Sequence, residues 1–161
     1  MIRFRQATGT DLKIISSWIG SAEECRLWAG EKMPYPVDFD KLPEIIGLFL
    51  NDSRTLFVDR ETAGFGQLVR RSGNRLHLAR VIISPNNRGK GLGRRLVEHL
   101  LKRAISQEPA KISLNVARDN PVAIRLYERL GFIKADLPLD EPPASYFYME
   151  HVPGSALDLC R

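Results

Sequence analysis

Two clusters of residues in this 161-residue chain have types and spacings that could do chemistry. The first is Arg88-Gly89-Lys90-Gly91-Leu92-Gly93-Arg94, with glycine at every second position and three cations among them. Glycine lets a backbone approach a ligand closely. The run also ends where an amphipathic helix begins, so free N–H groups and the positive end of a helix dipole face outward. Such a stretch suits a bound anion, a pyrophosphate above all. The second cluster runs over residues 120–132: an Asn120-Pro121 helix start, an apolar face of Ile124, Leu126, Tyr127 and Leu130, and Gly131-Phe132 at its end. Taken alone, Tyr127 reads as an amphipathic core aromatic.

Other phosphate-holding loops do not fit. A P-loop needs a Ser or Thr after its Gly-Lys, and none follows Lys90; a dinucleotide fingerprint needs a third glycine where Arg94 stands. The pattern present is Arg88-x-x-Gly91-x-Gly93 after a strand and a proline turn. It resembles the acetyl-CoA loop of the GNAT superfamily of N-acetyltransferases. A second motif of that family follows at the family's distance and in its order: a strand, then Asn120-x-x-Ala123-x-x-Leu126-Tyr127-x-x-x-Gly131-Phe132. The resemblance is detailed over residues 76–136 and extends elsewhere only to the order of elements.

This resemblance implies an α/β (α+β) fold, with a mixed, mainly antiparallel sheet of six to seven strands flanked by helices and splayed at its centre. It implies acetyl-CoA as cosubstrate, held by the backbones of Val81 and Ile83, by Arg88, Gly89, Lys90, Gly91, Leu92, Gly93 and Arg94, and by Asn120 and Tyr127. The implied reaction is direct attack of a primary amine on the thioester through a tetrahedral intermediate, with a main-chain N–H near Ile83 facing the oxyanion. Tyr127 would be the catalytic residue, giving a hydrogen bond to the departing thiolate. The acceptor wall falls in the acidic and aromatic segment over residues 23–40, where Glu24, Trp28 and Tyr35 would contact a small cationic amine or a peptide lysine. Asn115 stands where N-terminal acetyltransferases of the superfamily often carry Glu, so the general base is open between His77, Glu23 or Glu24, and a water-relayed route. The alternatives are a protein N-terminal acetyltransferase of the ribosomal-protein type and a non-catalytic CoA-binding regulatory module.

The elements that must position these residues read from pattern. Val81, Ile82 and Ile83 make a β-branched strand end, stopped by Ser84-Pro85-Asn86-Asn87. Leu92, Leu96, Val97, Leu100, Leu101, Ala104 and Ile105 then recur three or four apart, the period of a helix. Residues 111–118 form a strand; Asn120 caps the next helix, Pro121 takes its first position and Gly131 stops it. Upstream, residues 2–6 make a strand, and Thr10-Asp11 opens a helix carrying Leu12, Ile15, Trp18 and Ile19. A short helix covers 23–29, and Asp38 or Asp40 opens another with Leu42, Ile45, Ile46, Phe49 and Leu50 inward. Strands are predicted over 55–59, 63–70 and 75–84, with Gly64 and Gly66 weakening the middle one. A strand over 132–135, a loop marked by Pro138, Pro142 and Pro143, and a strand over 146–152 close a single domain over 1–152, with a tail over 153–161.

Composition agrees with such an enzyme. A hydrophobic share of 43% and a charged share of 27% suit one globular domain, and no apolar run approaches the ~20 residues of a membrane span, so no membrane association is expected. The N-terminus has no apolar signal core, which points to the cytoplasm. Cys25 and Cys160 have neither metal nor redox spacing and read as free thiols, and no metal site is expected. The net charge of +5 invites a nucleic-acid reading, but much of it sits in the glycine loop and at Arg70-Arg71, so no nucleic-acid partner is expected. A monomer or a homodimer is equally compatible with this composition.

Overall fold

Strands separated by tight turns build a sheet that amphipathic helices cover on both sides. In the computed structural model, which describes residues 1–141 and 145–152, the elements in chain order are β1 (Ile2–Gln6), α1 (Gly9–Ser16), α2 (Ala22–Ala29), α3 (Leu42–Ile45), β2 (Asp52–Val58), β3 (Glu61–Arg71), β4 (Arg75–Ile83), α4 (Leu92–Ile105), β5 (Lys111–Ala117), α5 (Pro121–Arg129), β6 (Phe132–Lys134) and β7 (Tyr146–His151). The strands form one seven-stranded sheet in the order β1-β2-β3-β4-β5-β7-β6. Every neighbouring pair is antiparallel except β4–β5. Cys160, Pro142, Pro143 and the 153–161 tail lie outside the described residues.

On one face, Leu96, Val97, Leu100, Leu101 and Ala104 of α4 pack with Leu68, Leu76, Leu78 and Leu114 of the central strands. On the other, Leu12, Ile15, Trp28, Leu42 and Ile46 gather around Phe65. The capping residue of α1 is Thr8, not Thr10. Thr8 and Asp11 form a reciprocal capping box. Asp11, 2% exposed, also takes two bonds from Arg5 at 2.7 and 2.9 Å and one from Thr55 Oγ1 at 3.2 Å. One buried carboxylate thus ties the first helix to the first two strands. Because α1 ends at Ser16, Trp18 and Ile19 follow the helix instead of belonging to it.

The expected helix inward of Leu42, Ile45, Ile46, Phe49 and Leu50 is a single turn. Gly47 leaves the helical region at φ +57°, and the Asn51 side-chain amide donates to the Ile46 carbonyl at 3.0 Å. The helical period is lost there, so Leu42, Ile46 and Leu48 are buried while Ile45, Phe49 and Leu50 face out, Leu50 at 93% exposure. Gly64 and Gly66 also differ from expectation. A Cβ at Gly66 would sit 2.7 Å from Leu100 Cδ1, and one at Gly64 would sit 2.8 Å from Ile83 Cδ1. Their lack of side chains lets α4 and the end of β4 close onto β3.

The feature that positions the site is a break in β4. Gln67 pairs with Ala79 and Phe65 with Ile82, so Arg80 and Val81 together oppose Gly66. This is a bulge, and Arg80 takes φ +53° within it. The parallel β4–β5 ladder runs from Arg75↔Lys111 only to Leu78↔Leu114, then stops. Past that point the strands diverge, as the splayed-strand expectation requires.

Filling the space over β3 should be costly. Gly66→Val is expected to lower stability by about 1–3 kcal/mol, the range for overpacking a tight core. The urea midpoint measures it; an unchanged midpoint would mean that α4 is not held against Gly66.

Candidate active site

The glycine loop lies between β4 and α4, after a single 3₁₀ turn at Pro85–Asn87. Gly91 is the N-cap of α4 at φ +76°; no side chain caps the helix and no acid lies in its first turn. Gly89 takes φ +74°, and a Cβ at either glycine would meet nothing within 4 Å. Backbone conformation therefore demands these two glycines, and the space above them is open. The first-turn N–H groups of α4 face that space, with Arg88, Lys90 and Arg94 exposed around it. Arg88 Nε donates to the Ile83 carbonyl at 3.2 Å and Arg94 Nε to Glu98 at 2.7 Å. These are the donors and the charge that a pyrophosphate needs.

Where β4 and β5 diverge there is a cleft of about 730 Å³. Val81, Asn120, Ala123 and Tyr127 line it from the α4–α5 side, and Trp28, Glu31, Asn115, Asp140 and Glu141 from the other. Trp28 Nε1 donates to the Arg80 carbonyl at 2.9 Å, satisfying the bulge and fixing α2 against β4. Asn120 caps α5 by accepting from the Ala123 N–H at 3.3 Å. Tyr127, 9% exposed, stacks edge-on against Phe132 at 6.0 Å. Burial alone pushes its phenol up to about 12, so it carries its proton throughout the neutral range.

The structure brings Val81, Asn120, Tyr127 and Trp28 together in this cleft. Ile83, Arg88, Gly89, Lys90, Gly91, Leu92, Gly93 and Arg94 lie next to it, at the end of β4 and the start of α4, rather than in its lining. Glu24 and Tyr35 are not brought in. The Glu24 carboxylate accepts from the Gly20 N–H at 2.7 Å, and Tyr35 is 42% exposed. Glu23 pairs with Arg26, which in turn holds Asp119.

Sequence reasoning named His77 and Asn115 singly but passed over the polar floor that they form with Arg75, Ser113 and Glu141. Arg75, His77, Ser113 and Asn115 alternate along β4 and β5 and so share one sheet face. The segment between β6 and β7 lays Glu141 onto them. Its carboxylate, 1% exposed, accepts from Arg75 Nη1 at 2.8 Å and from Asn115 Nδ2 at 2.7 Å, with Arg71 Nε at 3.4 Å. Arg75 also reaches Asp140 and Ser113. Burial works to raise the Glu141 carboxyl, but the hydrogen bonds from Arg75 and Asn115 and the field of Arg71 outweigh it, and Glu141 is lowered. His77, with Nδ1 2.8 Å from Ser113 Oγ, is pushed down to about 4 by burial, partly countered by Glu141 and reinforced by the nearby arginines. At neutral pH the pair is therefore an ionised Glu141 beside an uncharged His77. Arg75 and Glu141 are 66 residues apart, and no motif spacing links them.

Comparisons with known proteins agree with this geometry. A profile of the Acetyltransferase (GNAT) family matches residues 21–132. Spermidine N(1)-acetyltransferase of Vibrio cholerae is 30% identical over 131 residues, 77% of this chain and 74% of that protein. N-alpha-acetyltransferase 40 of Saccharomyces cerevisiae is 38% identical over 77 residues, 44% of this chain and 26% of that one. Among solved structures, the spermidine N-acetyltransferase from Vibrio cholerae in complex with CoA and spermine aligns with a TM-score of 0.71 at 22% identity, covering 92% of each chain. The PaiA N-acetyltransferase from Thermoplasma acidophilum in complex with coenzyme A aligns with a TM-score of 0.72 at 21% identity, covering 94% of this chain and 98% of that one.

The depressed His77 predicts acid sensitivity. Between its ordinary 6.5 and about 4, the unfolded chain binds a proton that the folded chain does not, so stability falls as pH drops through that window. His77→Gln should make the slope shallower there, as read from denaturant midpoints between neutral pH and pH ~4.5. An unchanged slope would assign the acid sensitivity to other groups.

Proposed function

We propose, from the premise that this chain belongs to the GNAT acetyltransferase family and is an acetyl-CoA-dependent N-acetyltransferase, that its acceptor is the primary amine of a small cationic molecule, a polyamine above all, or of a peptide lysine. The observation that carries this reading is the 30% identity to a spermidine N(1)-acetyltransferase across 74% of that enzyme's length. Two carboxylates at the cleft, Glu31 and Asp140, are where a second positive group of such an acceptor would rest. They take the part that the sequence suggested for Glu24. The cosubstrate and the buried free thiol of Cys25 both suit a cytoplasmic setting.

Acetyl-CoA supplies an activated thioester; the chain supplies position and a proton. The α4 N-terminus, with Arg88, Lys90 and Arg94 around Gly89, Gly91 and Gly93, would hold the pyrophosphate. The unpaired edge of β4 from Val81 to Ile83 offers its N–H and C=O groups to the pantetheine amides, the partners that buried backbone otherwise lacks. Asn120 sits at the cap beside them. Tyr127 stays protonated and would offer its hydroxyl to the departing sulfur, lowering the energy of the forming thiolate.

A second reading is acetylation of a protein N-terminus. It is favoured by the 38% identity to N-alpha-acetyltransferase 40, although that match spans only 26% of the yeast protein. A non-catalytic CoA-binding module gives no account of a buried phenol facing the cleft.

Tyr127→Phe keeps the ring and its packing on Phe132. Turnover should fall by ~10²-fold while CoA affinity and melting temperature hold, as measured by thiol release and calorimetric titration. Full turnover in the Phe variant would make Tyr127 a core aromatic only. Across a panel of polyamines, aminoglycosides, amino acids, lysine peptides and N-terminal peptides, the highest kcat/KM should fall to a polyamine or a lysine peptide. An N-terminal peptide ahead by tenfold would select the second reading, and no thiol release with any amine would select the non-catalytic one.

A further inference from the structure

Asn115 is the first residue of β5 past the last rung of the β4–β5 ladder, at the fork from which the cleft opens. Its amide has a definite orientation. Glu141 is ionised, and a carboxylate only accepts, so the group 2.7 Å from Glu141 Oε2 is the Asn115 NH₂. The amide oxygen is therefore turned the other way. That Oδ1 atom is buried and has no hydrogen-bond partner among the described residues. An unpartnered buried carbonyl oxygen is costly, and native folds keep such groups where a ligand or an ordered water completes them.

Glu141 is itself fixed on its other side. Arg75 Nη1 holds Oε1 at 2.8 Å, and Arg75 also anchors Asp140 and Ser113, so the carboxylate has one place to sit. The chain Arg75–Glu141–Asn115 thus aims one acceptor atom.

We infer that Asn115 Oδ1 accepts an N–H of the attacking amine and turns the nitrogen lone pair toward the thioester, with Glu141 as the positioning residue that sets the amide. This rests on the reading of the cleft as the acceptor site of an N-acetyltransferase. A neutral amine brings two N–H bonds and one lone pair; binding one N–H at a fixed oxygen restricts where the lone pair points, which is the gain from orientation. Asn115 takes no proton. The N–C bond forms and the C–S bond breaks; nitrogen releases one proton to water, and sulfur gains one from Tyr127, which recovers its own from water. The enzyme therefore meets the amine already neutral, and no carboxylate serves as base.

The test begins with acetyl transfer by the unaltered protein to its best primary amine, since no transfer to any amine overturns both this inference and the reading beneath it. Asn115→Leu keeps the volume and removes the oxygen. It should lower kcat/KM for the amine tenfold or more, leave KM for acetyl-CoA and the melting temperature unchanged, and keep the shape of the pH profile, which follows the amine. Glu141→Gln should lower kcat/KM for the amine as well. Asn115→Leu with Glu141→Gln should be no worse than Asn115→Leu alone, because Glu141 acts only through the amide it sets. A kcat/KM within twofold of the unaltered protein in Asn115→Leu overturns the inference, as do losses that multiply in the double variant. Should Asn115→Leu not fold, Asn115→Ala takes its place in every arm; failure of both to fold would make Asn115 a structural amide and overturn the inference.

Discussion

The β4 backbone passes through the left-handed region at Arg80, and everything that makes this sheet a binding site follows from the two strand edges exposed there. A parallel pair that continued to Ile83 would consume every N–H and C=O on both strands. With an extra residue against Gly66, β4 bends away after Leu78 instead. Arg80 has no glycine's freedom, so its conformation must be held from outside. Trp28 Nε1 holds the carbonyl, and Gln67 Oε1 takes the guanidinium at 2.9 Å. Gln67 is in turn bound to Ser53 and to the Ile46 carbonyl. The bulge is thus supported by α2 and by the buried polar residues of β2 and β3.

The same break separates two environments. On the α4–α5 side, Tyr127 keeps its proton because burial penalises a phenolate. On the other side, Arg75, Arg71, Asn115 and His77 make a floor on which one carboxylate is ionised and one imidazole is not. A buried ion pair of this kind contributes little net stability, since desolvation offsets most of the attraction. Its effect is geometric: it fixes the segment before β7 onto the sheet and gives the Asn115 amide a single orientation. In the proposed reaction the acceptor would lie between Tyr127 as proton donor and Asn115 Oδ1 as hydrogen-bond acceptor, one on each face.

Two expectations part from the structure because one-dimensional spacing does not record where the chain turns. The apolar residues after Leu42 keep a helical spacing to Leu50, yet Gly47 turns the chain out after one turn and leaves Phe49 and Leu50 in solvent. The acidic segment before it looked like one wall because its charges are close in sequence. In space Glu24 turns back to cap the Gly20 N–H, Glu23 and Arg26 pair on the surface, and Glu31 alone among these lines the cleft. Gly64 and Gly66 were read as weakness in a strand for a similar reason. Their meaning lies in Leu100 and Ile83, which no local pattern brings near them.

What the sequence by itself determined is whatever depends on neighbours a few residues apart. The glycine loop needs glycines at 89 and 91 for left-handed backbone just ahead of a helix, and Asn120, Pro121 and Gly131 start and stop the helix that carries Tyr127. These are local constraints, so residue type and spacing suffice to read them, and they carry the resemblance that implies the family and the cosubstrate. Only the tertiary structure decided the polar floor. Arg75, Asn115 and Glu141 come from β4, β5 and the segment before β7, and their bonds span 66 and 26 residues. Burial of a carboxylate and an imidazole side by side, and the proton states that follow, exist only once two strands and a distant loop segment pack together and exclude water; no spacing in the chain encodes that proximity.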